Sequence, residues 1–280
     1  MIQRTKRVAA VHDLSGFGRS SMTTAVAVLA AMGHQPCPAP TAVFSTHTGI
    51  PGWQMTDLTG ELGAFFDHWQ AIGLAFDGIY TGFLGSAEQT QIVRRMLETF
   101  RTPDNLIIVD PVMGDNGRRY TTCTPELCDG MRALVHLADV ITPNLTEAAL
   151  LLGEDETALP SDEEAIASWA RRLRRMGARQ VVITGLARGD ALGILTSSDS
   201  GEALIVHPRA GGYFCGTGDL FASVLTGALL HGEVLDAAAR RAGEFVALCV
   251  ERTAPLKTPA MHGVCFEREL YRLADAFARE

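Results

Sequence analysis

Short apolar runs that end in a polar residue or a glycine recur along this chain, with helical patterns between them. Residues 8–11 lead into His12-Asp13-Leu14-Ser15-Gly16-Phe17-Gly18, 76–81 into Gly82, 105–109 into Asp110, 140–141 into Thr142-Pro143-Asn144, and 180–184 into Gly185; 41–45 reads as a further strand. Predominantly apolar runs of this length suit strands covered on both faces. Helical spacing runs from Ser20 and Ser21 to Gly33, and over 56–72, 87–100, 126–137, 147–152 and 163–176. Strands alternating with helices predict an α/β fold with a mostly parallel central sheet. In such sheets ligands bind beyond the C-terminal strand ends. The five ends at Asp13, Gly82, Asp110, Asn144 and Gly185 are therefore expected to gather at one edge.

Residues 192–196 and 203–207 read as a hairpin at an antiparallel edge, and 219–230, 235–250 and 264–278 as helices. No repeat, linker or composition break interrupts the chain, so a single domain is expected over 1–280. A net charge of −8 and a pI near 5.5 argue against nucleic acid and anionic membrane as partners. The six cysteines form no C-x-x-C pair, and the apolar stretch behind the basic N-terminus is too short for a secretory segment. No apolar run approaches the ~18 residues of a membrane span. A soluble, cytoplasmic protein with reduced thiols is expected. Lys6 and Lys257 are the only lysines, and neither follows a G-x-x-x-x-G loop, so a P-loop nucleotide site is excluded.

Three constellations carry chemistry. In Gly216-Thr217-Gly218-Asp219, glycines precede an apolar helical run, so backbone N–H groups can converge on an anion at a helix N-terminus. Asp219 can then take a proton from a hydroxyl, or simply cap the helix. In Thr142-Pro143-Asn144-Leu145-Thr146-Glu147, Asn144 and Glu147 either reach one Mg²⁺ shell or form a capping box. Asp110-Pro111-Val112-Met113-Gly114-Asp115-Asn116-Gly117 is a metal-water and nucleotide loop, or an ordinary polar turn. His47 reads as a hydrogen-bonded loop anchor, and the arginines at 171, 172, 174 and 175 as a solvated helix face.

Taken together these motifs resemble the pyridoxal kinases of the ribokinase superfamily, nearly end to end. Phe44-Ser45-Thr46-His47-Thr48-Gly49 and Thr81-Gly82-Phe83-Leu84-Gly85-Ser86 resemble the pyridoxal branch, and the three constellations with Val181-Val182-Ile183-Thr184 the wider superfamily. The resemblance implies a ribokinase-like three-layer α/β/α sandwich and transfer of phosphate from MgATP to the 5′-hydroxymethyl group of a B6 vitamer. It implies Asp219 as base and Gly216, Thr217 and Gly218 as anion hole. It implies Asp110 and Glu147 for Mg²⁺, and Asp115, Tyr120, Thr142, Asn144, Thr184 and Gly185 for the nucleotide. Asp13, Ser20, Thr48, Phe83 and Cys215 match positions that contact the vitamin ring. A homodimer is implied, and dependence on a monovalent cation is left open.

Asp13 stands where serine is common in that family and Phe83 where tyrosine is common, which leaves the preferred vitamer open. Arg118, Arg119 or Arg188 would replace lysines that the family places near the nucleotide. Residues 46–53 and 114–121 are candidate lids. Two rivals remain: a hydroxymethylpyrimidine kinase, for which Asp13-x-Ser15-Gly16 is a faint signal, and a non-catalytic pyridoxal phosphate carrier.

Overall fold

The computed structural model describes residues 4–209 and 211–277. Its strands are β1 (Arg7–Ser15), β2 (Gln35–Phe44), β3 (Met55–Asp57), β4 (Gly78–Thr81), β5 (Leu106–Val109), β6 (Gly114–Asp115), β7 (Arg118–Arg119), β8 (Val140–Ile141), β9 (Gln180–Arg188), β10 (Ala191–Ser198) and β11 (Gly201–Pro208). Its α-helices are α1 (Ser21–Ala31), α2 (Thr59–Ala71), α3 (Ala87–Phe100), α4 (Pro125–Val135), α5 (Leu145–Leu152), α6 (Glu163–Arg175), α7 (Thr217–Leu230), α8 (Leu235–Thr253) and α9 (Leu270–Phe277).

One nine-stranded sheet has the order β11-β10-β9-β8-β5-β4-β1-β2-β3. β9, β8, β5, β4, β1 and β2 run parallel, and β10, β11 and β3 are antiparallel edges. Successive side chains of a strand point to opposite faces, and the central strands use both. Ile79, Ile107, Val109, Ile141, Val181 and Ile183 join a core with residues of α2 to α6, including Leu62, Val93, Met131, Leu150 and Leu173. Tyr80, Ile108, Val140 and Val182 join a second core with Val28, Leu225, Phe245 and Leu273 from α1, α7, α8 and α9. This is the expected three-layer sandwich. Each buried aliphatic side chain contributes about 1.5–3 kcal/mol, so the sheet is a stiff frame for whatever its strand ends carry.

Several boundaries move, each for a physical reason. The first strand continues past Val11 to Ser15, because β1 keeps pairing with β2 across a bulge between His12 and Leu14. β2 begins at Gln35 rather than at 41, despite Pro36, Pro38 and Pro40. These prolines alternate, β1 lies on the other side, and β3 pairs only with 42–44, so every missing N–H faces the open edge. β3 was not anticipated; it occupies the start of the region expected to be helical from 56. β9 runs on through Gly185 and pairs with β10 across a bulge opposite Gly193 to Leu195. The last helix begins at Leu270 rather than 264, and its expected end at 278 lies outside the described residues. No helix among the described residues is long and apolar enough to cross a membrane.

Candidate active site

The parallel neighbours β9, β8, β5, β4 and β1 present their C-terminal ends at one edge. Backbone bonds extend that alignment past the strands: the Gly82 N–H reaches Val11 O, Asp110 reaches Thr81 O, Thr142 reaches Val109 O, and Thr184 reaches Pro143 O. Asp13 lies in the β1 bulge, a feature that re-aims side chains beside functional sites.

α7 begins above this edge. Gly216 is its N-cap with φ 78°, and an added Cβ would lie 1.8 Å from Arg19 O. Only glycine fits there. At Gly218 an added Cβ meets nothing within 4 Å. The first-turn N–H groups of a helix have no intrahelical partner, and those of Thr217, Gly218 and Asp219 make no other backbone hydrogen bond among the described residues. Asp219 is partly buried. Burial first, then the nearby Asp110 and Asp13, push its carboxyl up to about 7, and the Ser21 backbone opposes that shift. A carboxyl poised near neutrality suits general-base work.

Asp110 and Glu147 form a second acidic group. Both are buried. Thr142 Oγ1 donates to Asp110 Oδ1 at 2.9 Å, and burial raises Asp110 to about 7. Glu147 accepts from Met113 N–H at 3.2 Å and from Asn144 N–H at 2.9 Å, and burial followed by Asp110 holds its pKa well above the usual range. Asn144 Oδ1 accepts from Glu147 N–H at 3.0 Å, which completes a capping box, and Asn144 Nδ2 donates to Gly114 O at 2.8 Å. The capping alternative is thus realised. The Asn144 amide is committed to backbone, so it holds the loop and does not reach outward.

That loop is the β6–β7 hairpin, whose turn residues Asn116 and Gly117 have φ 51° and 72°. Two positive φ values match the tight hairpin turn that Asn-Gly favours. Gly117 N–H donates to Thr146 Oγ1, and Arg119 is paired with Glu156 at 2.6 Å. Burial raises Asp115, and Tyr120 is raised by burial and then by Glu147 and Asp115. Thr184 bridges to Asn144, and Gly185 is exposed beside it. Arg188 donates to Ser161 O. Arg118 makes no hydrogen bond or ion pair among the described residues, which leaves its guanidinium available.

On the β1 side, Asp13 is buried and accepts from Ser15 Oγ at 2.8 Å and Ser21 Oγ at 2.5 Å. Burial raises its pKa, and the two hydroxyls oppose that. Ser20 Oγ is buried without a partner among the described residues. Phe83 packs edge-on to Phe44, with ring centroids 5.7 Å apart. Thr48 is exposed, in a loop anchored by His47. His47 Nδ1 accepts from Gly49 N–H, so Nε2 carries the proton and donates to Met261 O at 2.5 Å. Cys215 Sγ lies 3.6 Å from His47 Nδ1, and burial first, then Asp219, pushes the thiol up to about 11. A neutral thiol makes contacts here and is not a nucleophile.

Residues 58–264 match the family model described as phosphomethylpyrimidine kinase. The chain belongs to that kinase family. It is 33% identical over 249 residues to a pyridoxine/pyridoxal/pyridoxamine kinase of Bordetella avium, covering 85% of this chain and 82% of the relative. A Bacteroides thetaiotaomicron protein, provisionally assigned as a phosphomethylpyrimidine kinase and crystallised with pyridoxal, superposes with a TM-score of 0.91 at 39% identity, covering 97% of this chain and 96% of its own. Pyridoxal kinase from Lactobacillus plantarum gives 0.90 at 32%, with 98% of both chains covered. The pyridoxal kinase resemblance and the ribokinase-like fold are borne out.

Within this family frame, several residues that the sequence did not single out surround Asp219. Ser21 Oγ donates to Asp13, and the Ser21 backbone lowers the Asp219 pKa. Ser223 Oγ donates to Asp219 O at 2.6 Å, and the Tyr80 hydroxyl lies toward Ser223 and both Asp110 and Asp219. His12, fully buried and edge-on to Tyr80 at 4.3 Å, is held neutral, its pKa lowered by burial to about 3. Tyr80 and His12 sit inside apolar strand runs, where periodicity marks them as core. Three of the four arginines of α6 are paired at the surface, Arg171 with Glu164 and Glu202, Arg172 with Glu154, and Arg174 with Asp199, and Arg175 is exposed.

Proposed function

We propose that this chain phosphorylates the 5′-hydroxymethyl group of a B6 vitamer, using ATP, in the cytoplasm. The observation that carries the reading is Asp219: a carboxyl raised to about 7, in the first turn of α7, beside the Gly216-Thr217-Gly218 turn, where a Cβ added at Gly218 would meet nothing within 4 Å. Asp219 takes the proton of the substrate hydroxyl. The first-turn amides of α7 hold the transferring phosphoryl group, where the helix dipole favours negative charge. Asp115, Tyr120, Thr142, Thr184 and Gly185 border the nucleotide, Asn144 holds the loop beside it, and Arg118 in the hairpin supplies positive charge. Asp13, Ser20, Thr48, Phe83 and Cys215 border the vitamin ring, and the hairpin excludes water.

The residues present fit Mg²⁺. Asp110 and Glu147 are two buried carboxyls, both raised by burial and Glu147 further by Asp110, and a divalent cation is the countercharge that such a pair lacks. When bound, Mg²⁺ would neutralise phosphate charge, with these two residues holding it directly or through water. A stability test follows. Asp110 has a folded pKa raised from 3.8 to about 7. Its contribution to stability is therefore present below about pH 4 and lost as pH rises through 7. Added Mg²⁺ is expected to raise Tm clearly at pH 8 and little at pH 6, and Asp110→Asn to raise Tm at pH 8 and abolish the response. Equal Mg²⁺ shifts at both pH values would remove the pair as the metal site.

A homodimer belongs to the same proposal. Leu14 and Val43 are exposed neighbours across β1 and β2, and Met55 on edge strand β3 is exposed beside them. An open strand edge of this kind is commonly covered, and light scattering reads the mass directly.

The functional test is ADP release with pyridoxal, pyridoxine, pyridoxamine and hydroxymethylpyrimidine in parallel, in K⁺ and in Na⁺ buffers. Turnover on a B6 vitamer is expected. Turnover on the pyrimidine alone would move the substrate and keep the mechanism, and no turnover with retained pyridoxal phosphate binding would favour a carrier.

A further inference from the structure

Ser21 opens α1 with φ 49°, in the left-handed region that side chains with a Cβ avoid. The other such residues among those described, Asn116 and Lys257, sit in a hairpin turn and at the end of a 3₁₀ turn, where local geometry asks for it. Ser21 has no comparable local reason. It is buried, 8% exposed, at the start of a helix whose N-cap Ser20 makes no side-chain capping bond.

The strained conformation has an identifiable product. Ser21 Oγ donates to Asp13 Oδ1 at 2.5 Å, and the segment that leads into it packs on the turn before α7, where an added Cβ at Gly216 would lie 1.8 Å from Arg19 O and 3.4 Å from Ser20 Cα. The φ rotation sets the direction of Cβ against that of the N–H. Moving it to a right-handed value, a change of about 110°, would turn the hydroxyl away from Asp13 while the preceding residues stay packed on the α7 turn. The hydroxyl that holds Asp13 is thus fixed relative to the turn that carries Asp219, and backbone strain kept at such a place is a mark of a functional constraint.

We infer that Ser21 is a positioning residue: it ties Asp13, on the vitamin side, to Asp219, so that a substrate seated against Asp13 meets the base in one fixed geometry. The inference rests on the phosphotransferase reading above. It also accounts for the residue type. Glycine would relax the backbone and lose the hydroxyl, alanine would keep the strain without the bond, and threonine would add a β-branch at positive φ.

The test is a double-mutant cycle in the full chain with Ser21→Gly, Asp13→Ala and the pair, following kcat and both KM values, with Tm for each protein. Glycine suits the local φ, so Ser21→Gly is expected to melt at or above the wild-type temperature. Its kcat/KM for the vitamer should fall roughly tenfold, with the KM for ATP unchanged and little further loss when Asp13 is already alanine. Ser21→Ala should show the same kinetic loss with a lower Tm.

An unchanged kcat/KM in Ser21→Gly, an equal loss in both backgrounds, or a matching rise in the KM for ATP would each overturn the inference while the kinase reading stands. A wild-type protein inactive on every substrate above would remove that reading, and this inference with it.

Discussion

Asp219→Asn is expected to lower kcat by about 10²–10⁴-fold, the usual contribution of a positioned general base, while vitamer and nucleotide still bind within a few-fold of wild type. Asparagine keeps the shape and loses the proton acceptor. Wild-type kcat/KM should fall as pH drops below about 7, where the Asp219 carboxyl takes up its proton. The variant's residual rate should lose that limb. Stability should move the other way. The folded pKa of Asp219 is raised from 3.8 to about 7, so its stabilising contribution is complete below about pH 4 and lost as pH rises through 7. The amide does not ionise, and the variant should therefore melt above wild type at pH 8. Rate measurements, calorimetric binding and melting curves together separate the base from a helix cap. A cap would lose Tm at pH 8 and leave kcat nearly intact.

The two glycines of the α7 turn should fail in opposite ways. Gly216→Ala forces a Cβ into Arg19 O at a positive φ, and backbone cannot move aside as a side-chain tip can. A loss of at least about 2–3 kcal/mol is expected, read as a large drop in Tm or as insoluble protein. Gly218→Ala meets open space on the protein side, so its Tm should stay near wild type. The added methyl occupies the ground where the transferring phosphoryl group is proposed to sit. There kcat should drop about 10²–10³-fold, the scale of losing one oxyanion donor. A normally active Gly218→Ala would show that the phosphoryl group is held elsewhere.

Much of the site was legible before any tertiary information. Asp110, Glu147 and Asp219 all follow apolar runs or a glycine turn, and the fold brings them to one edge. The Asn144 and Glu147 pair shows where legibility ends. Spacing allowed both a metal pair and a capping box, and the neighbours of each atom had to be known to see that the Asn144 amide is committed to Gly114 O. Ser20 and Ser21 look equivalent in sequence, yet only Ser21 carries the left-handed φ and the bond to Asp13. The choice among Arg118, Arg119 and Arg188 likewise needed Glu156 and Ser161, which lie far along the chain.

The sequence by itself determined the alternation of strands and helices, the hairpin at the antiparallel edge, the glycine turn before α7 and the polar residues at the strand ends. These are set by side-chain period and turn chemistry acting over a few neighbouring residues. Only the tertiary structure decided the strand order, the bulge that seats Asp13, the proline-lined edge of β2 and the pKa values of Asp110 and Asp219. Each of those depends on which distant segments come together, and on how much water their packing removes from a carboxyl group.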